Sequence, residues 1–345
     1  MCHCPFFRRC SFAFVALGLM FAVVAQASGP EIVVLPSVDA TIEYAKKIDF
    51  WGEALRRSQL SVPNVIMAVN NEGWREEAER MPVQLKKDLF YYSLLPLILH
   101  ENGNIRRDRN RLKGMAAAVE TGSGPSPEDR RWLSGLAARY GLPAKGAESA
   151  SQTTLPSLLD ELLLRVDVIP PALALGQAAY ESGYGTSRFA LSGNALFGQW
   201  TYGGKGIKPK QQRRQKGNYK VASFEWPLDS VRSYVNSLNT HPAYGELRNK
   251  RRELRESGKK PSGLALADTL TRYSELGQVY VDRLKSVITH NKLHHADGAS
   301  LRNEPIVFAV SVDSEEEAAE IRREIQQLRA TGELEAMIHG MKLDQ

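Results

Sequence analysis

Beyond residue 27 the chain of 345 residues contains no cysteine; its three, Cys2, Cys4 and Cys10, all lie ahead of an apolar run near the N-terminus. A mature chain without that segment has no disulfide and no thiolate metal site, so small disulfide scaffolds are excluded and stability must come from packing. Long apolar sequence is scarce too. The run over 12–25 has 14 residues, where a membrane-spanning helix needs about 20. Arg8 and Arg9 precede it and Ala25-Gln26-Ala27 closes it in the small-x-small manner of a cleavage site. Residues 1–27 are therefore expected to be a secretory signal peptide. The mature chain is expected to be exported to the periplasm or cell envelope, with no stable membrane insertion. The formal charge is only +6, and Arg8 and Arg9 leave with the signal, so nothing invites a nucleic-acid partner.

Several motifs are missing as well. There is no Walker loop, Rossmann glycine pattern or Gly-x-Ser-x-Gly elbow, so nucleotide-dependent and serine-hydrolase chemistry have no foothold. His290 and His294 are four apart, but Asn291 stands where a zinc-protease helix needs glutamate. No metal and no organic cofactor is implied.

What is present is an ordinary globular composition, 43% apolar, with mainly helical patterning. Strand character over 31–35 precedes helical patterns over 42–60 and 84–112, the second holding Pro96 as an expected kink. Turn chemistry over 121–129 leads to a short helix with Trp132 and Tyr140. A helix over 155–166 is followed by Pro170-Pro171, which suits a helix start. Residues 196–224 have no helical period and read as a β-hairpin-like excursion or long loop. Helices resume over 228–238, 264–273 and 279–290, and the tail reads as one strand and one exposed helix.

One acid stands out at the end of the helix that Pro171 opens. In "ALALGQAAYESGYG" the positions one and two turns before Glu181 are Gln177, Ala178, Leu173 and Ala174, a mostly apolar row. Partial desolvation and the negative end of the helix dipole both raise the pKa of a carboxyl placed there, as a general acid near neutral pH requires. A solvent-facing glutamate at a helix end is the plainer alternative. After Glu181 no Asp or Glu occurs until Glu225, while that interval holds eight cations: Arg188, Lys205, Lys208, Lys210, Arg213, Arg214, Lys216 and Lys220. They are either a solvated basic loop or an attraction for carboxylate-bearing substrate.

The constellation "ALGQAAYESGYGTSRFALSGNALFGQW", with "SFEWPLDSVRSYVNSLNTHPAY" and "TRYSELGQVYVDRLKSVI" behind it, resembles the glucosaminidase family of peptidoglycan hydrolases (glycoside hydrolase family 73), and within it the Bax-like branch. The resemblance covers about residues 155–293. It implies a mainly α, lysozyme-like helical domain with a small β-hairpin lobe over 81–298, flanked by an N-terminal extension (28–80) and a C-terminal strand-helix extension (299–345). It implies an endo-β-N-acetylglucosaminidase that hydrolyses β-1,4 bonds of peptidoglycan glycan strands, with Glu181 as catalytic acid and Tyr273 as an active-site tyrosine. Asn194, Phe197, Gln199, Trp200 and Tyr202 are candidate substrate-binding residues, and Tyr219 is a further aromatic for sugar stacking. Many family members carry a second glutamate in the β-lobe, and this chain has none there. Either Glu225 reaches back to the site, or the substrate's 2-acetamido group attacks its own anomeric carbon, with Tyr273 steering that group or the water. Substrate assistance is the favoured expectation. A muramidase or lytic transglycosylase on the same fold, and a non-catalytic peptidoglycan-binding protein, remain as alternatives.

Overall fold

Strand β1 (Glu31–Leu35) opens the computed structural model, which describes residues 31–52, 57, 60–69, 74–143, 155–210, 217–312 and 314–339. The expected signal segment and the cations Arg213, Arg214 and Lys216 lie outside them. Helix α1 (Val38–Lys47) is N-capped by Ser37, whose Oγ accepts the Ala40 N–H at 3.1 Å. Of the helical pattern expected over 42–60, α1 covers the part up to Lys47, and residues 53–56, 58 and 59 lie outside the described residues. Asp49 and Gly52 then take left-handed φ of 51° and 71°, and the chain turns into strands β2 (Ser61–Val62) and β3 (Val65–Val69).

After α2 (Trp74–Arg80) comes the structural axis, α3 (Val83–Glu120), a 38-residue helix that runs on through Pro96. It extends past the expected end at Leu112 because Met115 is still buried and the Ala-rich turn that follows keeps helical propensity. Helices α4 (Pro127–Arg139), α5 (Leu155–Arg165), α6 (Pro171–Ser182) and the short α7 (Arg188–Gly193) follow. Within the acid-free interval lies the small lobe: strands β4 (Trp200–Thr201), β5 (Gly206–Ile207) and β6 (Lys220–Ala222), antiparallel in the order β4-β6-β5. Helices α8 (Pro227–Thr240), α9 (Gly245–Glu256), α10 (Gly263–Ala267) and α11 (Gln278–His290) complete the helical body. The architecture is mainly α and lysozyme-like, with a small β-lobe.

Helix α10 is shorter than the pattern over 264–273 suggests. Thr269 and Leu270 donate to Leu266 and Ala267 in three-residue steps, so the chain passes through turns and Tyr273 sits on one of them rather than on a helix.

The two extensions meet. Strand β8 (Val307–Ser311) lies between β1 and β3, all parallel, with Ile32 and Ile66 both in register with Phe308. Strand β7 (Ser300–Leu301) pairs with β2. Helices α12 (Glu315–Ala330) and α13 (Glu333–His339) close this unit, and the Ile338 carbonyl accepts from Asn104 Nδ2 at 3.1 Å and meets His100 Nε2 at 2.8 Å. Phe308 packs edge-on to Trp226, ring centroids 6.2 Å apart, so the flanking unit and the helical body share one core. Among the described residues no helix is long and apolar enough to cross a membrane.

Helix α6 runs through the middle of that core. From Pro171 to Ala179 every residue is buried. Gly176 permits this: a Cβ there would fall 2.8 Å from Ile288 Cγ1 of α11. At the N-terminal end of α6, Asp297 accepts from the backbone N–H of Ala172 at 2.9 Å and of Gly263 at 2.7 Å, pinning the starts of α6 and α10 together. Below it Asp167 is enclosed by Arg251, Arg255 and Arg109.

Candidate active site

Helix α6 ends in Gly183, whose φ of 59° and ψ of 46° form a left-handed cap. This termination delivers Glu181, on the last turn, from the core into a cleft of about 1040 Å³ between the helical body and the β-lobe. Two structural features fix the opposite wall. Gly198, with φ of 63°, brings backbone so close that a Cβ on it would lie 3.4 Å from Glu181 Oε2. Tyr273 donates its hydroxyl hydrogen to the Phe197 carbonyl at 3.0 Å, which holds that turn from the other side.

Burial pushes the Glu181 carboxyl above its ordinary range, and a hydrogen bond from the Tyr280 hydroxyl pulls the other way without cancelling the rise. Tyr280 is itself fully buried and takes a hydrogen bond from Gln177 Nε2 at 2.9 Å, while Gln177 Oε1 accepts from the Tyr234 hydroxyl at 2.7 Å. A chain of buried hydrogen bonds thus joins Tyr234, Gln177 and Tyr280. The rings form a cage. Tyr273 stacks on Tyr280 at 5.4 Å, Tyr180 meets Tyr280 edge-on at 5.4 Å, and Phe197 stacks on Tyr234 at 3.9 Å.

The sequence-derived candidates fall into two groups. Glu181, Phe197, Gln199, Trp200, Tyr202 and Tyr273 line the cleft together. Phe197 is mostly a floor residue, buried against Tyr234, whereas Trp200 and Tyr202 are 45% and 66% exposed on the β-lobe rim. Trp200 stacks on Tyr219, ring centroids 4.4 Å apart, and Tyr219 is the buried support of that pair. Gln199 donates to Ser233 Oγ at 3.1 Å, and its Oε1 is buried with no hydrogen-bond partner among the described residues.

Asn194 and Glu225 lie elsewhere. They share a separate hollow with Arg75, Arg188 and Phe224. There the Asn194 side chain donates to the carbonyls of Phe224 and Glu225 at 3.2 and 3.0 Å, closing the base of the β-lobe. No residue of 28–80 lines the cleft among the described residues.

Sequence reasoning missed Gln177, Tyr234, Tyr244 and Tyr280 as parts of the site, and also Glu275, an exposed acid on the cleft rim two residues past Tyr273. The aromatic spacing in "TRYSELGQVYV" was the one available signal for Tyr280. Among the described residues no group of three His, Cys, Asp or Glu side chains is placed to hold a metal.

A lysozyme-like helical body whose cleft holds a desolvated carboxyl among aromatic side chains is the arrangement of a glycoside hydrolase. The family model described as "Glucosaminidase: Mannosyl-glycoprotein endo-beta-N-acetylglucosaminidase" matches residues 158–293, which contain every cleft-lining residue. The chain is 32% identical over 207 residues to "Protein bax" of Escherichia coli (strain K12), a match covering 60% of this chain and 70% of that protein. No solved structure matches it. The chain belongs to the glucosaminidase family, Bax-like branch, and is a glycoside hydrolase.

Proposed function

We propose that this protein is an exported endo-β-N-acetylglucosaminidase that hydrolyses β-1,4 bonds of peptidoglycan glycan strands, acting in the periplasm or cell envelope with Glu181 as general acid. The observation that carries this assignment is Glu181 itself, set into an aromatic cleft at a helix end with its carboxyl held above the ordinary range by burial. A neutral carboxyl at working pH protonates the glycosidic oxygen as the C1–O bond breaks. The electron deficit at C1 is then met by the oxygen of the substrate's own 2-acetamido group, and water later opens the resulting ring and returns a proton to Glu181. Trp200 and Tyr202 offer faces for sugar rings. Arg188, Lys205, Lys208, Lys210 and Lys220 draw in the carboxylates of peptidoglycan.

A second mechanism is favoured by one observation, the presence of Glu275 on the cleft rim: a carboxylate there would activate water directly. Digestion of purified sacculi with mass spectrometry of the new reducing ends tests the function. N-acetylglucosamine ends and an inert Glu181→Gln variant are expected. Muramic-acid or anhydro ends, or fragments released undiminished by Glu181→Gln, would overturn it. Full activity of Glu275→Gln, with loss of cleavage on a substrate lacking the acetamido carbonyl, selects substrate assistance over the two-carboxylate route.

A further inference from the structure

We propose that an open hollow beside the cleft is a site for the peptide stem of peptidoglycan, so that the preferred substrate is a glycan strand whose stems are still attached and carry free carboxylates. This site rests on the cleft being the place where the glycan is cut.

The hollow has a volume of about 550 Å³ and lies between α8 and the C-terminal ends of α4 and α5. Gln199, Ser237 and His241 line both it and the cleft, so the two adjoin. A stem branches sideways from its sugar through a lactyl ether. A protein that holds the strand in the cleft must therefore leave the stem in solvent or give it a place next door.

The floor of the hollow suits a peptide. Helix α8 buries Val231, Tyr234, Val235 and Leu238 in the core, and its charged pair, Asp229 and Arg232, bond to each other at 3.0 Å away from the hollow. The hollow is lined instead by Ser233, Asn236, Ser237 and Thr240, spaced as one helix face. Serine, asparagine and threonine are weaker helix formers than lysine, glutamate or glutamine, so this face gives up helix propensity for short donors and acceptors. Two of them are uncommitted: the Asn236 amide and the Ser237 hydroxyl have no hydrogen-bond partner among the described residues. At the border with the cleft, His241 accepts the Ala243 N–H on Nδ1 at 3.2 Å, which leaves Nε2 as a further donor. An uncharged face offering both donors and acceptors matches the N–H and C=O groups of a peptide backbone.

The charge sits with Arg165, the last residue of α5. Its Nε donates to Glu161 Oε1 at 2.7 Å and its Nη1 to the Tyr140 carbonyl at 2.9 Å. Those two bonds fix the plane of the guanidinium and leave Nη2 without a partner among the described residues. Glu161 does not line the hollow, and none of the described residues that do is acidic. A held guanidinium with a spare N–H edge takes a carboxylate, and a stem supplies one.

The test uses soluble glycan strands with their stems, the same strands stripped of stems by an amidase, and strands whose stem carboxylates are amidated. The parent protein should cut intact strands with kcat/KM about tenfold above the stripped ones and at least about threefold above the amidated ones. Asn236→Ala should shrink the first ratio towards one, and Arg165→Gln should erase the second. Arg165→Gln also gives up the Tyr140 bond; should it fold poorly, Asn236→Ala and the parent's own ratios carry the readout. Equal rates of the parent on intact and stripped strands, or variants that slow all three substrates by one factor, overturn the proposal. Calorimetric binding of intact and stripped strands to Glu181→Gln separates the failures. Tighter binding of intact strands with no cleavage by the parent fails the enzymatic reading alone, whereas cleavage with no preference for stems fails the stem site alone.

Discussion

Tyr273 Oη lies 3.0 Å from the Phe197 carbonyl, to which it donates, and this one bond ties the turn after α10 to the turn that holds Gly198 against Glu181. The two segments are 76 residues apart in the chain, and each forms part of the cleft wall. The distance between the acid and the opposite wall therefore depends on a contact outside α6. Tyr273→Phe keeps the ring stacked on Tyr280 and loses the tie. It should cost about 1 kcal/mol of stability but reduce kcat/KM by about tenfold or more, since small displacements of positioning groups are expensive. Thermal melting and steady-state kinetics on soluble glycan check the two together.

Gly198→Ala makes a related test from the other side. The position has φ of 63°, and an L side chain in the left-handed region costs about 1–2 kcal/mol. The new methyl would stand 3.4 Å from Glu181 Oε2, ordinary contact for the resting protein but, with Glu181 as the proposed acid, in the space where a glycosidic oxygen would reach it. Urea titration should show that modest loss, and turnover should fall much further than the stability change explains.

The pH profile follows from burial. As the proposed general acid, Glu181 has to be neutral to act, and desolvation holds its pKa above the usual glutamate value of about 4.3 despite the Tyr280 hydrogen bond. Activity should therefore persist above that value and fall as pH rises through the raised pKa, giving an alkaline limb carried by this one group. A profile of kcat/KM that already falls at the ordinary glutamate value would contradict the desolvated site.

Much of this was legible in the sequence because it is local. Gly183 after an Ala-rich row marks a helix end, which together with the surrounding motifs singled out Glu181, and the loss of helical period over 196–224 marked the β-lobe. What was not legible depends on elements that meet only in the folded chain. Gln177 joins residues 57 and 103 positions away, and neither spacing leaves a period to read. The parallel order β1-β8-β3 joins two ends of the chain through strands of five residues, too short to announce their partners. Glu225 directly follows the β-lobe in sequence, but it lines a separate hollow, where Asn194 donates to its carbonyl. The helical period over 264–273 misled for a different reason. Thr269 bonds its own side chain back to Leu266 at 2.7 Å, and such local bonds compete with continued helix.

The last prediction concerns acid stability. Asp167, 3% exposed at its side chain, lies 2.6 Å from Arg255, 3.4 Å from Arg251 and 3.7 Å from Arg109. Burial alone would raise its pKa, but the three guanidinium groups and the Arg255 hydrogen bond outweigh that and hold it below the ordinary aspartate value. A carboxylate whose pKa is lower folded than unfolded stabilises the fold above the unfolded pKa, about 3.9, and that contribution is lost as pH falls through the lower folded value. The same residue anchors the chain just before α6: Arg251 also donates to the carbonyls of Leu164, Asp167 and Val168 and to Asn239 Oδ1. Asp167→Ala would leave Arg251 buried without its counter-charge and should cost about 3–5 kcal/mol. Its remaining stability should decline less steeply than the parent's below pH 4, because the group that titrates is gone. Chemical denaturation of both proteins across that range checks the sign, and a variant that loses stability as steeply as the parent would move the acid-sensitive group elsewhere.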